Sequence, residues 1–157
     1  MKTTSKAKDS VVQPVERRHG TRQHVDRMVT ERTEMLALYW RLAGIDPFAE
    51  PKQREPLQKL LQDFCQILVD YIAAGHFGLY ERLVNGTERR RSVAELAEQL
   101  YPRIAGTTQI ALDFNERYDL GENGEIPATI KSDLSKLGEE LAVRIELEDR
   151  LIAHLMA

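Results

Sequence analysis

A chain of 157 residues is long enough to bury one core without a disulfide or metal staple, and its single cysteine, Cys65, rules out an internal disulfide. Its formal charge of −3, from 22 basic against 25 acidic residues, is too small to assign a nucleic-acid or membrane partner by sum alone. No apolar run approaches the roughly 18 residues of a membrane span, and the amino end lacks the apolar region of a signal peptide, so a cytoplasmic protein is expected.

Residues 1–20 mix Lys, Thr, Ser and Gln with no sustained apolar period and are expected to form a flexible basic tail. No specific nucleic-acid contact is expected of it. From Thr21, Val25, Met28, Val29, Arg32, Met35, Leu36, Tyr39 and Leu42 recur at three- and four-residue steps until Gly44 and Asp46-Pro47, which predicts a first helix. Pro47, Pro51 and Pro56 punctuate the connection, and Pro56 suits the first turn of a long second helix ending near Asn85-Gly86.

That second helix carries an ordered polar stripe. At about 100° per residue, Asp63, Gln66, Asp70, Ala74, Phe77 and Glu81 share one arc of roughly 80°, opposite Leu61, Phe64, Leu68, Ile72 and Leu79. A solvated helix face is the ordinary meaning of such charges. An aromatic ring among carboxylates instead suits an anchor for another protein, or packing against a neighbouring helix. Cys65 lies toward the apolar side and reads as a buried thiol, while Gly75 and Gly78 suggest the close approach of another helix. His76, between those glycines, is the one residue that suggests an alternative, a histidine phosphotransfer bundle. Its direction at the edge of the apolar arc and the distance in sequence to Arg82 favour a packed histidine instead.

Ser92-Val93-Ala94-Glu95 has the form of a capping box and predicts the start of a third helix, running through Leu100, Ile104, Ile110 and Phe114 to Tyr118 with a kink at Pro102. Gly121, Asn123 and Gly124 make a turn-rich stretch. Pro127 is expected to open a fourth helix, in which Ile130, Leu134, Leu137, Leu141, Ile145, Ile152 and Leu155 keep a near-heptad spacing. Arg144 and Glu148 are four apart on it, either as a surface ion pair or as a partly buried pair beside the Leu141 and Ile145 seam. The expected fold is all-α: an antiparallel four-helix bundle over residues 21–157, with a kinked third helix and a flexible amino-terminal tail.

Catalytic and metal signatures are missing. The only Glu-x-x-His, Glu16 to His19, lies in the tail, and there is no Gly-rich phosphate loop, His-Glu-x-x-His or Gly-x-Ser-x-Gly. No metal site, cofactor or enzyme activity is expected.

The run Asp63-Phe64-Cys65-Gln66, then Leu68-Val69-Asp70-Tyr71, Ala74-Gly75-His76-Phe77 and Tyr80-Glu81, resembles the signature of the Rsd/AlgQ family, the bacterial regulators of sigma D. Val25-Asp26-Arg27, Leu42-x-Gly44-Ile45, and Arg144 through Leu147-Glu148-Asp149 to Leu151-Ile152 extend the resemblance over roughly residues 20 to 155. It implies a helical, non-enzymatic anti-sigma factor that binds region 4 of the housekeeping sigma factor and keeps it from core polymerase and promoter DNA. Carried over residue by residue, it implies Asp63, Asp70, Phe77 and Glu81 as contacts, with Arg27, Tyr71, His76, Tyr80, Arg144 and Glu148 in support. Met28 stands where the family pattern has a tryptophan. A monomer is the favoured state, and self-association through the stripe is the other reading of that surface.

Overall fold

The computed structural model describes residues 2–44, 51–84, 90–120 and 124–157, with side chains from Gly20 onward apart from residues 51–56 and 84. Its elements in chain order are α1 (Lys2–Ala43), α2 (Pro51–Gly75), a π-helical turn (His76–Tyr80), α3 (Glu81–Val84), α4 (Arg91–Tyr118) and α5 (Ile130–Leu155). The protein is all-helical, and no strand occurs among the described residues. Helical backbone in α1 also runs through the residues that composition assigned to a tail.

The apolar periods of the sequence become one core. Met28 and Met35 of α1, Phe64, Leu68 and Tyr71 of α2, Ile104 and Phe114 of α4, and Leu137, Leu141 and Leu151 of α5 are all buried. Helix α1 packs on α2, α4 on α5, and α2 on α4. Phe64 sits at the centre, edge-on to Phe114 with ring centroids 5.9 Å apart and tilted to Tyr39 at 6.0 Å, a geometry that adds to plain area burial. Met28 is wholly buried, so a residue there serves the interior.

Three boundaries differ from the sequence expectation. Helix α2 begins at Pro51 rather than Pro56; a proline at the first helical position gives up only a donor that has no helical partner. Helix α4 begins at Arg91, and no side-chain cap forms at its amino end: the Ala94 amide donates to the Arg90 carbonyl at 3.0 Å, while Glu95 pairs instead with Arg91 at 3.0 Å. The capping box is therefore not made, because an i,i+4 ion pair takes its carboxylate. Helix α5 starts at Ile130, its amide donating to the Pro127 carbonyl at 3.1 Å, so Pro127 precedes the helix.

The expected long second helix is interrupted. Nine residues at about 100° each would leave Tyr80 roughly opposite Tyr71; a π turn holds one extra residue and takes back about 100°, which turns Tyr80 inward. Leu79 and Tyr80 are accordingly both buried. Gly75 permits this closeness: a Cβ there would lie 3.0 Å from Tyr80 Cε2 and 3.3 Å from Arg144 Nη2. At Gly78 the corresponding contact is His24 Nδ1 of α1, at 3.3 Å.

Candidate functional site

The polar stripe is a surface feature. Asp63, Gln66 and Asp70 are exposed on successive turns of α2, with Gln66 Nε2 donating to Asp70 Oδ1 at 3.2 Å. Phe77 follows in the π turn with 67% of its surface in solvent. His76 meets it edge-on, ring centroids 4.8 Å apart. His76 is itself exposed, a correction to the expectation that it supports the helix from within: as the first residue of the π turn it keeps its direction at the edge of the apolar arc, and its ring lies against the exposed Phe77. Glu81 is exposed at the head of α3, but the π turn rotates it roughly 100° off the line of Asp63 and Asp70. Arg27 is exposed on α1, and no hydrogen bond or ion pair joins its side chain to these groups among the described residues.

Beside the stripe, α2 and α4 border a cleft of about 490 Å³ whose polar lining includes Asp63, Gln66, Asn115 and Asp119. The acidic surface therefore reaches onto the end of α4, which helix-by-helix periodicity cannot reveal. Cys65 lines the same cleft from its buried side, and burial, then the charge of Asp119, push its thiol up to about 12, so it is a neutral packing group.

Under the π turn lies a second constellation, wholly internal. Arg144 and Glu148 of α5 both have no exposed surface, so the pair is buried rather than superficial. Glu148 accepts from the hydroxyls of Tyr71 and of Tyr80, the latter at 2.8 Å, and from Arg144 Nε at 3.3 Å. The Arg144 guanidinium lies between the same two rings, 5.3 Å from the Tyr71 centroid and 5.5 Å from that of Tyr80. Its Nη1 donates to Thr108 Oγ1 at 2.6 Å and Thr107 Oγ1 at 3.2 Å, tying in α4. Burial opposes the arginine charge, but Tyr80 and Glu148 hold its pKa above the usual value. Desolvation, and then Glu148, raises both tyrosines, so both remain hydrogen-bond donors at neutral pH.

Four of the six supporting residues named from sequence, Tyr71, Tyr80, Arg144 and Glu148, thus converge on one point, a clamp that joins the π turn to α4 and α5. Sequence reasoning missed two kinds of member. Thr107 and Thr108 carry no distinguishing pattern. Arg32, which lies 3.6 Å from Glu148 and donates to Asp149 at 2.8 Å, did carry one: it is a charged residue in a core register position of α1. Among the described residues, no group of three or more His, Cys, Asp or Glu is placed to hold a metal ion, and no helix is long and apolar enough to cross a membrane.

Residues 9–156 match the family described as regulator of RNA polymerase sigma(70) subunit, Rsd/AlgQ. Curated proteins called regulator of sigma D are similar to the chain: one from Escherichia coli O1:K1 / APEC is 38% identical over 138 residues, covering 87% of this chain and 86% of that protein. One from Shigella dysenteriae serotype 1 (strain Sd197) is 36% identical over the same shares of both chains.

Proposed function

The chain belongs to the Rsd/AlgQ family of sigma(70) regulators, and from that premise we propose that it is an anti-sigma factor whose acidic α2 surface binds region 4 of the housekeeping sigma factor. The observation that carries this reading is the pairing of exposed Asp63 and Asp70 with a largely exposed Phe77 on one continuous face. Region 4 is a basic helix-turn-helix module. Carboxylates on one face raise the encounter rate and orient such a partner, while an aromatic anchor that loses its exposure on binding slows dissociation. Occlusion of region 4 would keep sigma from core polymerase and promoter DNA, with no catalytic step.

In this reading Asp70 and Asp63 make the central contacts and Phe77 the anchor, with Glu81 at the flank. Tyr71, Tyr80, Arg144 and Glu148 hold the π turn that carries Phe77. The scaffold is an antiparallel four-helix bundle with a bend at Pro102 and a flexible tail outside it. Phosphotransfer through His76 has no support in the family or in the residues around it.

Titration calorimetry against an isolated region 4 fragment, at low and moderate salt, tests the proposal. Saturable binding that weakens with salt and falls at least tenfold in Asp70→Ala, with helix content unchanged, is expected. Full affinity in Asp70→Ala together with salt independence would remove the stripe as the contact. No binding to region 4 or to full-length sigma would remove the function.

A further inference from the structure

A second unpartnered surface lies away from the stripe, and we propose that it is a docking groove for a basic amphipathic helix. The groove, of about 1030 Å³, runs between α1 and α5. Leu36, Tyr39 and Trp40 form one wall; on the other, Ala142 and Ala153 carry only short side chains, while at Gly138 the Tyr39 hydroxyl closes onto α5 and donates to the Leu134 carbonyl at 2.9 Å. Trp40 keeps 71% of its surface exposed, the largest exposure of any large apolar side chain described. An indole left in water beside an open apolar channel is the usual anatomy of a protein-binding hot spot.

The rim identifies the occupant. Glu139, Glu146 and Asp149 border the groove against a single cation, Arg150. Asp149 is engaged by Arg32 at 2.8 Å, whereas neither Glu139 nor Glu146 has an ion-pair partner among the described residues. These two are seven residues apart on α5, two turns, and so present paired negative charge along one edge. Lys or Arg at the same spacing on a partner helix would meet both while its apolar face covers Trp40. A second copy of this chain would set the same acidic rim against itself, where like charges repel. On α5 the lining extends from Ser135 to Ala153, about 27 Å at 1.5 Å per residue, which a helix of about 18 residues would fill.

This groove and the stripe are separate surfaces. Asp63 and Gln66 of the stripe border the cleft between α2 and α4, whereas the groove lies between α1 and α5, and no residue lines both. A helix lying between α1 and α5 therefore leaves that face of α2 free.

Trp40 is the only tryptophan, so its emission reports the groove directly. The probe is an amphipathic peptide of about 18 leucines and lysines, with a leucine–glutamate peptide of the same pattern as control. The full chain is expected to show a saturable blue shift with the lysine peptide at concentrations on the order of 10 µM, weakened by salt and little response to the control. Glu139→Lys/Glu146→Lys should raise the midpoint at least tenfold, and Asp70→Ala should leave it unchanged. Far-ultraviolet dichroism confirms that each variant is folded. The proposal is overturned if the emission does not move, if both peptides act alike, if the double variant binds as well, or if protein concentration alone produces the shift. A region 4 fragment that competes with the peptide would overturn the independence of the two surfaces.

Discussion

Glu148→Ala should be the most damaging single truncation in the clamp. It leaves the fully buried Arg144 with neutral hydroxyls and no anion, since Arg32 is itself a cation and the tyrosines and threonines carry no charge. Breaking a buried pair from one side costs about 3–5 kcal/mol. The hydroxyls of Tyr71 and Tyr80 lose their acceptor at the same time, each worth about 1 kcal/mol, and because the groups are coupled a total of about 4–5 kcal/mol is expected rather than the full sum. Arg144→Met should cost less, about 1–3 kcal/mol: Glu148 keeps two tyrosine donors and Arg32 at 3.6 Å, and both threonines still donate to the Ile104 carbonyl. Arg144→Met/Glu148→Leu should recover most of the loss, since well-packed apolar replacement of a buried pair is often neutral. Urea unfolding followed by circular dichroism measures all three. A Glu148→Ala loss below about 2 kcal/mol with an unchanged denaturant slope, or a larger loss for Arg144→Met, would refute the clamp as drawn.

Two further outcomes follow from the ionisation of buried groups. Because burial and Glu148 raise Tyr71 and Tyr80 above the ordinary 10.0, the folded state holds protons that the unfolded chain gives up, so stability should fall as pH rises past about 10. Tyr80→Phe, compared with the parent by urea midpoints across that range, should show a shallower fall; equal slopes would show that Tyr80 does not contribute. Cys65, with its thiol near 12, should react with a chromogenic disulfide reagent only as fast as the fold opens, and rapidly in denaturant. Fast reaction under native conditions would contradict its burial.

Much of this arrangement was legible in the chain. Periodicity placed the core face of each long helix, Gly44 closes α1 and Tyr118 ends α4, and the exposure of Asp63 and Asp70 follows from the 3.6-residue repeat. What failed did so for local reasons with tertiary causes. Ser92 and Glu95 spell a capping box, yet the ion pair with Arg91 wins the carboxylate. The π turn is invisible to any fixed period, because its stabilisation comes from the hydroxyl of Tyr80 reaching a carboxylate 68 residues away. Arg144 and Glu148 could be paired from their spacing alone, but their burial depended on knowing that two tyrosines from α2 and the π turn close over them.

The clamp also separates the charges that can recognise a partner from those that cannot. Arg144 and Glu148 neutralise each other out of solvent, and Arg32 spends its charge on Glu148 and Asp149, so the internal cluster adds little to the field outside. The carboxylates left facing solvent include Asp63 and Asp70 on α2 and Glu139 and Glu146 on α5, the groups to which the two proposals assign recognition. The two surfaces nevertheless depend on the same internal contacts, because the π turn that carries Phe77 is tied through Tyr80 to the helix that carries Glu146. Loosening that tie should therefore weaken region 4 binding more than Asp70-independent helix content would suggest. Tyr80→Phe gives the clean case: it removes one hydroxyl, keeps the ring over Arg144 and touches no exposed group. A several-fold loss of region 4 affinity with helix content intact would place the clamp in the service of the stripe, and unchanged affinity would confine it to stability.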